Sequence, residues 1–382
     1  MPARPSRWAS SAPAGPAPTM TTRTFISTAD CTKDGGRGWY GPAVVIDCHG
    51  HYTTTPPAVG AWREAQVAAV ERDPSVATEP GPLAVSDDEL RASVEAHQLR
   101  LQRERGSDLT LFSPRASWMG HHVGNEHTSR HWTEHQNDLV HRVCELYPDN
   151  FAPVAQLPQS PGAGVQGSVA ELERCVLELG FVGANVNPDP SGGHWNGPPL
   201  WERHWWPLWE ALCALDVPAM IHVSASCNEH FHTTGSHYLG ADTTAFVQAL
   251  SSGFMRDFPG LRWIIPHGGG AVPYHWGRFE GLAADNGWDL DALTDHVFYD
   301  TCVYHQRGID LLLDVVPIDH ILFGSEMIGA VRGIDPATGH HYDDTKRYVD
   351  ASSLGDSDRQ LVFEGNARRV YPRLDARLAV RP

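Results

Sequence analysis

The chain has 382 residues, with 29 basic and 46 acidic side chains and a formal net charge of −17. This excess of acid excludes nucleic acid and anionic membrane surfaces as general partners, so an anionic ligand has to meet a locally positive site. No apolar run approaches the ~20 residues of a membrane span. The N-terminus lacks the apolar core of a signal peptide, and the seven cysteines, at positions 31, 48, 144, 175, 213, 227 and 302, form no CxxC pair, so a reducing cytoplasm is the expected setting.

Residues 1–42 are rich in Pro, Ala, Ser, Thr and Gly without apolar periodicity, and a flexible N-terminal tail is expected there. Residues 43–382 are expected to form one catalytic domain. It opens on Val44-Val45-Ile46-Asp47-Cys48-His49-Gly50-His51, an apolar run that reads as a buried parallel strand ending in two histidines. Alternation along a strand puts His49 and His51 on one face, where they can share a metal ion.

A helix is predicted over Pro57–Glu71 and a Pro-containing connection over Asp73–Val85. A second helix begins at the Ser86/Glu89 capping box, buries Leu90, Val94 and Leu101, and stops at Gly106. Further strands are predicted at Asp108–Phe112, Phe151–Leu157, Phe181–Val186, Pro218–Val223, Leu261–Pro266, Val297–Asp300 and Ile321–Phe323. Helical patterns lie between them at Ser168–Leu179, Trp201–Leu215 and Asp242–Asp257. Eight strands alternating with helices, and no GxGxxG after the first, point to an α/β fold of (β/α)8 barrel type rather than an open sheet.

In such barrels the chemistry stands at the carboxyl ends of the strands. His49 and His51 end strand one, His222 ends strand five and Glu326 follows strand eight. Together they supply the His and carboxylate donors of a catalytic zinc site. One metal is expected, since strand four carries no lysine to bridge a pair and the chain has only Lys33 and Lys346. Zn2+ is the expected ion, and Mn2+ or Fe2+ suit the same ligands.

His267, before three glycines after strand six, reads as an orienter of a metal ligand, an acid or a substrate donor, in a loop that lets a ligand approach closely. Arg115 after strand two and Arg332 after strand eight read as carboxylate clamps, with Asn187 of the strand-four loop as a third substrate contact. The HxxEH pattern at His131–His135 matches inverted zinc proteases, but without a partner ligand it reads as a solvated helix face.

The stretches Ile46–Thr54, Gly106–Thr110, Ser113–Ser117, Asn187–Trp195, Thr233–Tyr238, Pro266–Arg278 and Ser325–Gly333 resemble the amidohydrolase superfamily. The likeness is to its branch of decarboxylases and hydratases acting on carboxylated ring-cleavage products. That resemblance implies a zinc-dependent barrel with His49, His51, His222 and Glu326 on the metal and His267 and Tyr238 in the substrate site; Glu326, His267 and Tyr238 are the expected catalytic groups. It implies addition of water across a carbon–carbon double bond of an oxo-tricarboxylate from aromatic breakdown. A metal-dependent decarboxylase is the alternative. Most of the superfamily carries aspartate after strand eight, and Glu326 in its place favours hydration. A small anionic polycarboxylate is the expected partner, and a homo-oligomer the expected assembly.

Overall fold

In a computed structural model of the chain, residues 44–73 and 83–379 are described. The predicted tail over residues 1–42 and most of the Pro-containing connection lie outside them. Eight parallel strands run in chain order, each bonded to the next: β1 (Ile46–Tyr52), β2 (Leu109–Pro114), β3 (Phe151–Gln156), β4 (Gly183–Val186), β5 (Ala219–Ile221), β6 (Trp263–Ile265), β7 (Val297–Asp300) and β8 (Ile321–Leu322). The ring closes where Cys48 N donates to Phe323 O and Glu326 N donates to His49 O, each at 2.8 Å. The predicted (β/α)8 barrel is thus the fold of the chain.

Two apolar layers hold it. Inside the ring, Ile46, Leu109, Leu111, Val154, Met220, Ile264, Phe298 and Leu322 pack against Val370, Tyr371 and Leu374 of the C-terminal helices. Gly183 is required here: a Cβ at this position would stand 2.7 Å from the Tyr371 ring, so the start of β4 admits that plug only without a side chain. The outer layer joins the strands' other face to the helices through Trp132, Trp209, Phe246 and Trp263, all fully buried. With the amino end plugged, polar groups collect at the carboxyl ends.

Several predicted bounds shift for local reasons. Helix α1 (Pro57–Arg72) is as expected. The next predicted helix divides into α2 (Asp87–Glu95), with its Ser86/Glu89 capping box in place, and α3 (Gln98–Arg105), ended by Gly106 at φ 69°. The break at His97 turns Gln98 inward, where it accepts from Thr54 Oγ1 at 2.5 Å and donates to His51 O at 3.4 Å. After α4 (Glu126–Leu146) and α5 (Gln166–Glu173), helix α6 spans Trp206–Leu215 and not Trp201–Leu215. Pro207 sits in its first turn, where a missing N–H costs nothing.

Helix α7 (Tyr238–Ser252) starts four residues earlier than predicted and stops at Gly253, φ 65°. The face of α4 bearing His131 and His135 is also not the solvated one predicted. Both rings lie against Trp62 of α1, at centroid distances of 5.5 and 5.0 Å, and are half-buried.

Candidate active site

Four histidines converge over the barrel's inner layer, each held by the nitrogen that points away from the centre. β1 shifts register between Asp47 and Gly50, and His49 and His51 both turn inward with their Nε2 atoms 3.0 Å apart. His49 Nδ1 lies 2.6 Å from Asp300 Oδ2 at the end of β7. His51 Nδ1 lies 2.7 Å from Ser113 Oγ, whose own hydrogen goes to Gly50 O at 3.1 Å.

His222, just past β5, faces Val223 O through Nδ1 at 2.7 Å, and His267, just past β6, faces Asp242 Oδ2 of α7 at 2.8 Å. Every Nδ1 therefore meets an acceptor and carries the ring proton, which leaves the Nε2 lone pairs of the neutral rings turned to one another. The Nε2 atoms of His222 and His267 are buried without a hydrogen-bond partner among the described residues.

Glu326 closes the cluster from β8. Its backbone takes the left-handed conformation, φ 49°, as do His267 at 52° and Tyr304 at 62°. Such conformations cost about 1–3 kcal/mol each and persist only where the surroundings enforce them. Glu326 Oε2 accepts the Tyr304 hydroxyl at 2.6 Å and stands 3.9 Å from His267 Nε2. Donor atoms of His49, His222, His267 and Glu326 all lie within 4.8 Å of one another, and all four residues are buried. The structure thus brings His267 into the tight group, while His51 joins it through His49.

Electrostatics divide these rings into two kinds. Burial, reinforced by the neighbouring histidines, lowers His51 and His222 well below the usual imidazole range, so both are neutral. For His267 burial acts in the same sense, but the adjacent Asp242 carboxylate, with Glu326 and Asp300 behind it, raises the ring to about 9. Burial raises Asp242 itself to about 6, still below its partner, so the pair is imidazolium and carboxylate at neutral pH.

This donor set fits a divalent ion. Metal ligands must be unprotonated, and buried imidazole nitrogens without partners otherwise cost free energy. Two nitrogens each ~2.0–2.1 Å from one zinc stand roughly 3.3 Å apart, close to the 3.0 Å between His49 and His51.

Above the cluster opens a cleft of about 380 Å3 lined by His51, Arg115, Trp118, His232, Tyr238 and Glu326, among others. Tyr238 is 3% exposed and sets its ring 5.0 Å from His222 and 5.4 Å from His267. Arg115 lies over Trp118, 4.4 Å from its ring centre, and its Nε donates to Ser117 Oγ at 3.0 Å.

Two predicted contacts stand elsewhere. Asn187 is 0% exposed; its amide donates to Ser224 Oγ at 3.0 Å and accepts from Asp189 N at 2.9 Å, which ties the β4 and β5 loops together. Arg332 is exposed and donates to Ile328 O at 3.1 Å, although its charge reaches Arg115. Tyr304, Asp300, Asp242, Ser113 and His232 were not predicted. Of these Asp300 alone had a signal, as the carboxylate that ends a predicted strand.

Comparison with known proteins accords with this site. An amidohydrolase family profile matches residues 46–373. The chain is 58% identical over 342 residues to 2-keto-4-carboxy-3-hexenedioate hydratase of Sphingobium sp., covering 88% of this chain and 99% of the relative. The crystal structure of 4-oxalomesaconate hydratase from Rhodopseudomonas palustris superposes with a TM-score of 0.80 at 55% identity, covering 88% of this chain and 98% of that one. Gamma-resorcylate decarboxylase of Polaromonas sp. is more distant, 27% identical over 314 residues, covering 74% of this chain and 90% of the relative. The protein is a member of the amidohydrolase family.

Proposed function

We propose that this enzyme is a hydratase acting on 4-oxalomesaconate, the 2-keto-4-carboxy-3-hexenedioate of its relative's name, to give 4-carboxy-4-hydroxy-2-oxoadipate. The observation that carries the reading is the 58% identity along 99% of that hydratase, in a chain whose strand ends gather the donors described above. We assign a single zinc ion to His49, His51, His222 and Glu326. The neutral state of His51 and His222 supports this choice, and His267, paired with Asp242 across 2.8 Å, is kept for proton delivery. When bound, such an ion supplies Lewis-acid activation of water and of a carbonyl.

The chain's own groups perform the proton work. Glu326 accepts a proton from the water whose oxygen bonds to C4, the alkene carbon remote from the ketone. The π electrons move toward the ketone oxygen and give an enolate. His267, protonated against Asp242, delivers its proton to C3, and Tyr238 holds the enolate oxygen by its hydroxyl. The proton on Glu326 then returns to His267, 3.9 Å away, so that one water is added in all. Arg115 holds a carboxylate at the cleft wall.

The test is an ultraviolet assay of the zinc-loaded and the chelator-treated protein with 4-oxalomesaconate, with CO2 monitored in parallel. Zinc-dependent loss of enone absorbance without CO2 is expected, and Glu326→Gln should abolish it. Release of CO2 would make the reaction a decarboxylation, and a Glu326→Gln variant of near wild-type rate would remove Glu326 as the base.

A further inference from the structure

A chain of net charge −17 that takes a ligand with three carboxylates needs donors on more than one side of its cleft. Among the described residues lining that cleft, Arg115 is the one arginine or lysine and Glu326 the one carboxylate. Arg115 follows β2. The segment Ala225 and His232-Thr233-Thr234, which also lines the cleft, follows β5. β2 and β5 stand three places apart in a ring of eight, so these two loops face each other across the barrel mouth.

The β5 loop presents hydrogen-bond donors there. His232 Nδ1 accepts the Gly235 N–H at 3.0 Å and so caps the turn that leads into α7. Its ring proton therefore sits on Nε2, which donates whether the ring is neutral or charged. Thr233 Oγ1 accepts the Ser226 N–H at 3.2 Å, which leaves its hydroxyl hydrogen to donate, and Thr234 adds a second hydroxyl. No acid lies on this wall among the described lining residues.

We propose that His232, Thr233 and Thr234 form a carboxylate subsite that pairs with Arg115 across the mouth and makes the cleft select tricarboxylates over dicarboxylates. This subsite rests on the hydratase reading for its substrate class. It binds one of the two carboxylates that the reacting carbons do not themselves bear, and it acts on recognition rather than on proton transfer.

His232→Asn separates the two duties of the ring. The asparagine oxygen can still accept at the cap, a position that asparagine favours, but the Nε2 donor is gone. Propane-1,2,3-tricarboxylate is the unreactive probe and glutarate its dicarboxylate control, each titrated into the zinc-loaded protein by calorimetry. A hydrogen bond to a charged group contributes about one factor of ten or more. Wild type is expected to bind the tricarboxylate at least ~10-fold more tightly than glutarate. His232→Asn should lose about that factor for the tricarboxylate alone and raise KM for the enone more than it lowers kcat. Thr234→Val should shift the tricarboxylate in the same direction, and unchanged melting curves establish that both variants fold.

Equal losses for the two probes, or no loss for either, would overturn the subsite. Selective tricarboxylate binding by a wild-type protein that hydrates no enone would instead overturn the hydratase reading and leave the subsite standing.

Discussion

The Tyr304 hydroxyl donates to Glu326 Oε2 across 2.6 Å, and both residues hold the left-handed backbone conformation. Burial and the Glu326 charge push the phenol well above its ordinary pKa, so it remains a donor at every working pH. The contact sets the rotation of the carboxylate and occupies one of its oxygens, which favours a single oxygen toward the histidines.

Tyr304→Phe removes this donor without changing the ring. A hydrogen bond to a charged group contributes about 1.5–3 kcal/mol, so turnover should fall roughly 10- to 100-fold. In the cobalt-substituted protein the visible absorption should weaken as the freed carboxylate raises the coordination number. An unchanged cobalt spectrum would mean that Tyr304 only packs.

The arrangement of donors was largely legible in the residues, because it follows from periodicity. A strand must end where apolar alternation gives way to Gly, Ser and Pro, and His49, His51, His222 and Glu326 each stand at such an end. Tyr304 had no comparable mark: a tyrosine in a loop looks alike whether it packs or donates, and only the turn after β7 aims it at Glu326. Asn187 is the opposite case. Its position after β4 suited a substrate contact, and in the structure its amide spends one N–H on Ser224 of the β5 loop and its oxygen on Asp189 N. The break at His97 was illegible because the apolar spacing of Leu90, Val94 and Leu101 continues through it.

Removal of the metal should destabilise the fold. The Nε2 atom of His222, one of the proposed ligands, is buried without a hydrogen-bond partner among the described residues, and a ligand that binds only the native state at 100 times its Kd contributes about 2.7 kcal/mol. Thermal unfolding after chelation should shift down by several degrees, and stoichiometric zinc should restore it. An identical melting curve with and without zinc would argue against the site.

A pH dependence should arise away from the metal site, at His121. It is buried between the β2 loop and α4, where Nδ1 meets Ser129 Oγ at 3.0 Å and accepts Gln159 N at 3.3 Å. Burial, then the charge of Arg63 and of His122, lowers it from 6.5 to about 3. The unfolded chain thus binds a proton below pH 6.5 that the folded chain refuses until about pH 3. Stability from this group is full above that window and lost as pH falls through it, at about 1.4 kcal/mol per unit. His121→Asn should be less stable at pH 7, yet lose roughly 2–3 kcal/mol less than wild type between pH 7 and 4.5. Denaturant melts at the two pH values measure this difference, and parallel losses would refute it.

Asp300 offers the sharpest test of the tautomers that the proposed metal ligation requires. Its Oδ1 accepts the backbone N–H groups of Gly268 and Cys302, both at 3.0 Å, while Oδ2 takes the His49 Nδ1 proton. In Asp300→Asn the side-chain oxygen can keep both backbone bonds, so β6 and β7 stay joined. The new amide then faces His49 Nδ1 as a donor and forces the ring proton onto Nε2, the atom needed for the metal. Loss of such a supporting partner typically lowers metal affinity 10- to 100-fold. Asp300→Asn should therefore lose zinc in chelator competition by about that factor while the zinc-free protein melts close to the zinc-free wild type. A variant that binds zinc normally would show that His49 is not a ligand through Nε2, and one that melts far lower would make Asp300 a structural residue first.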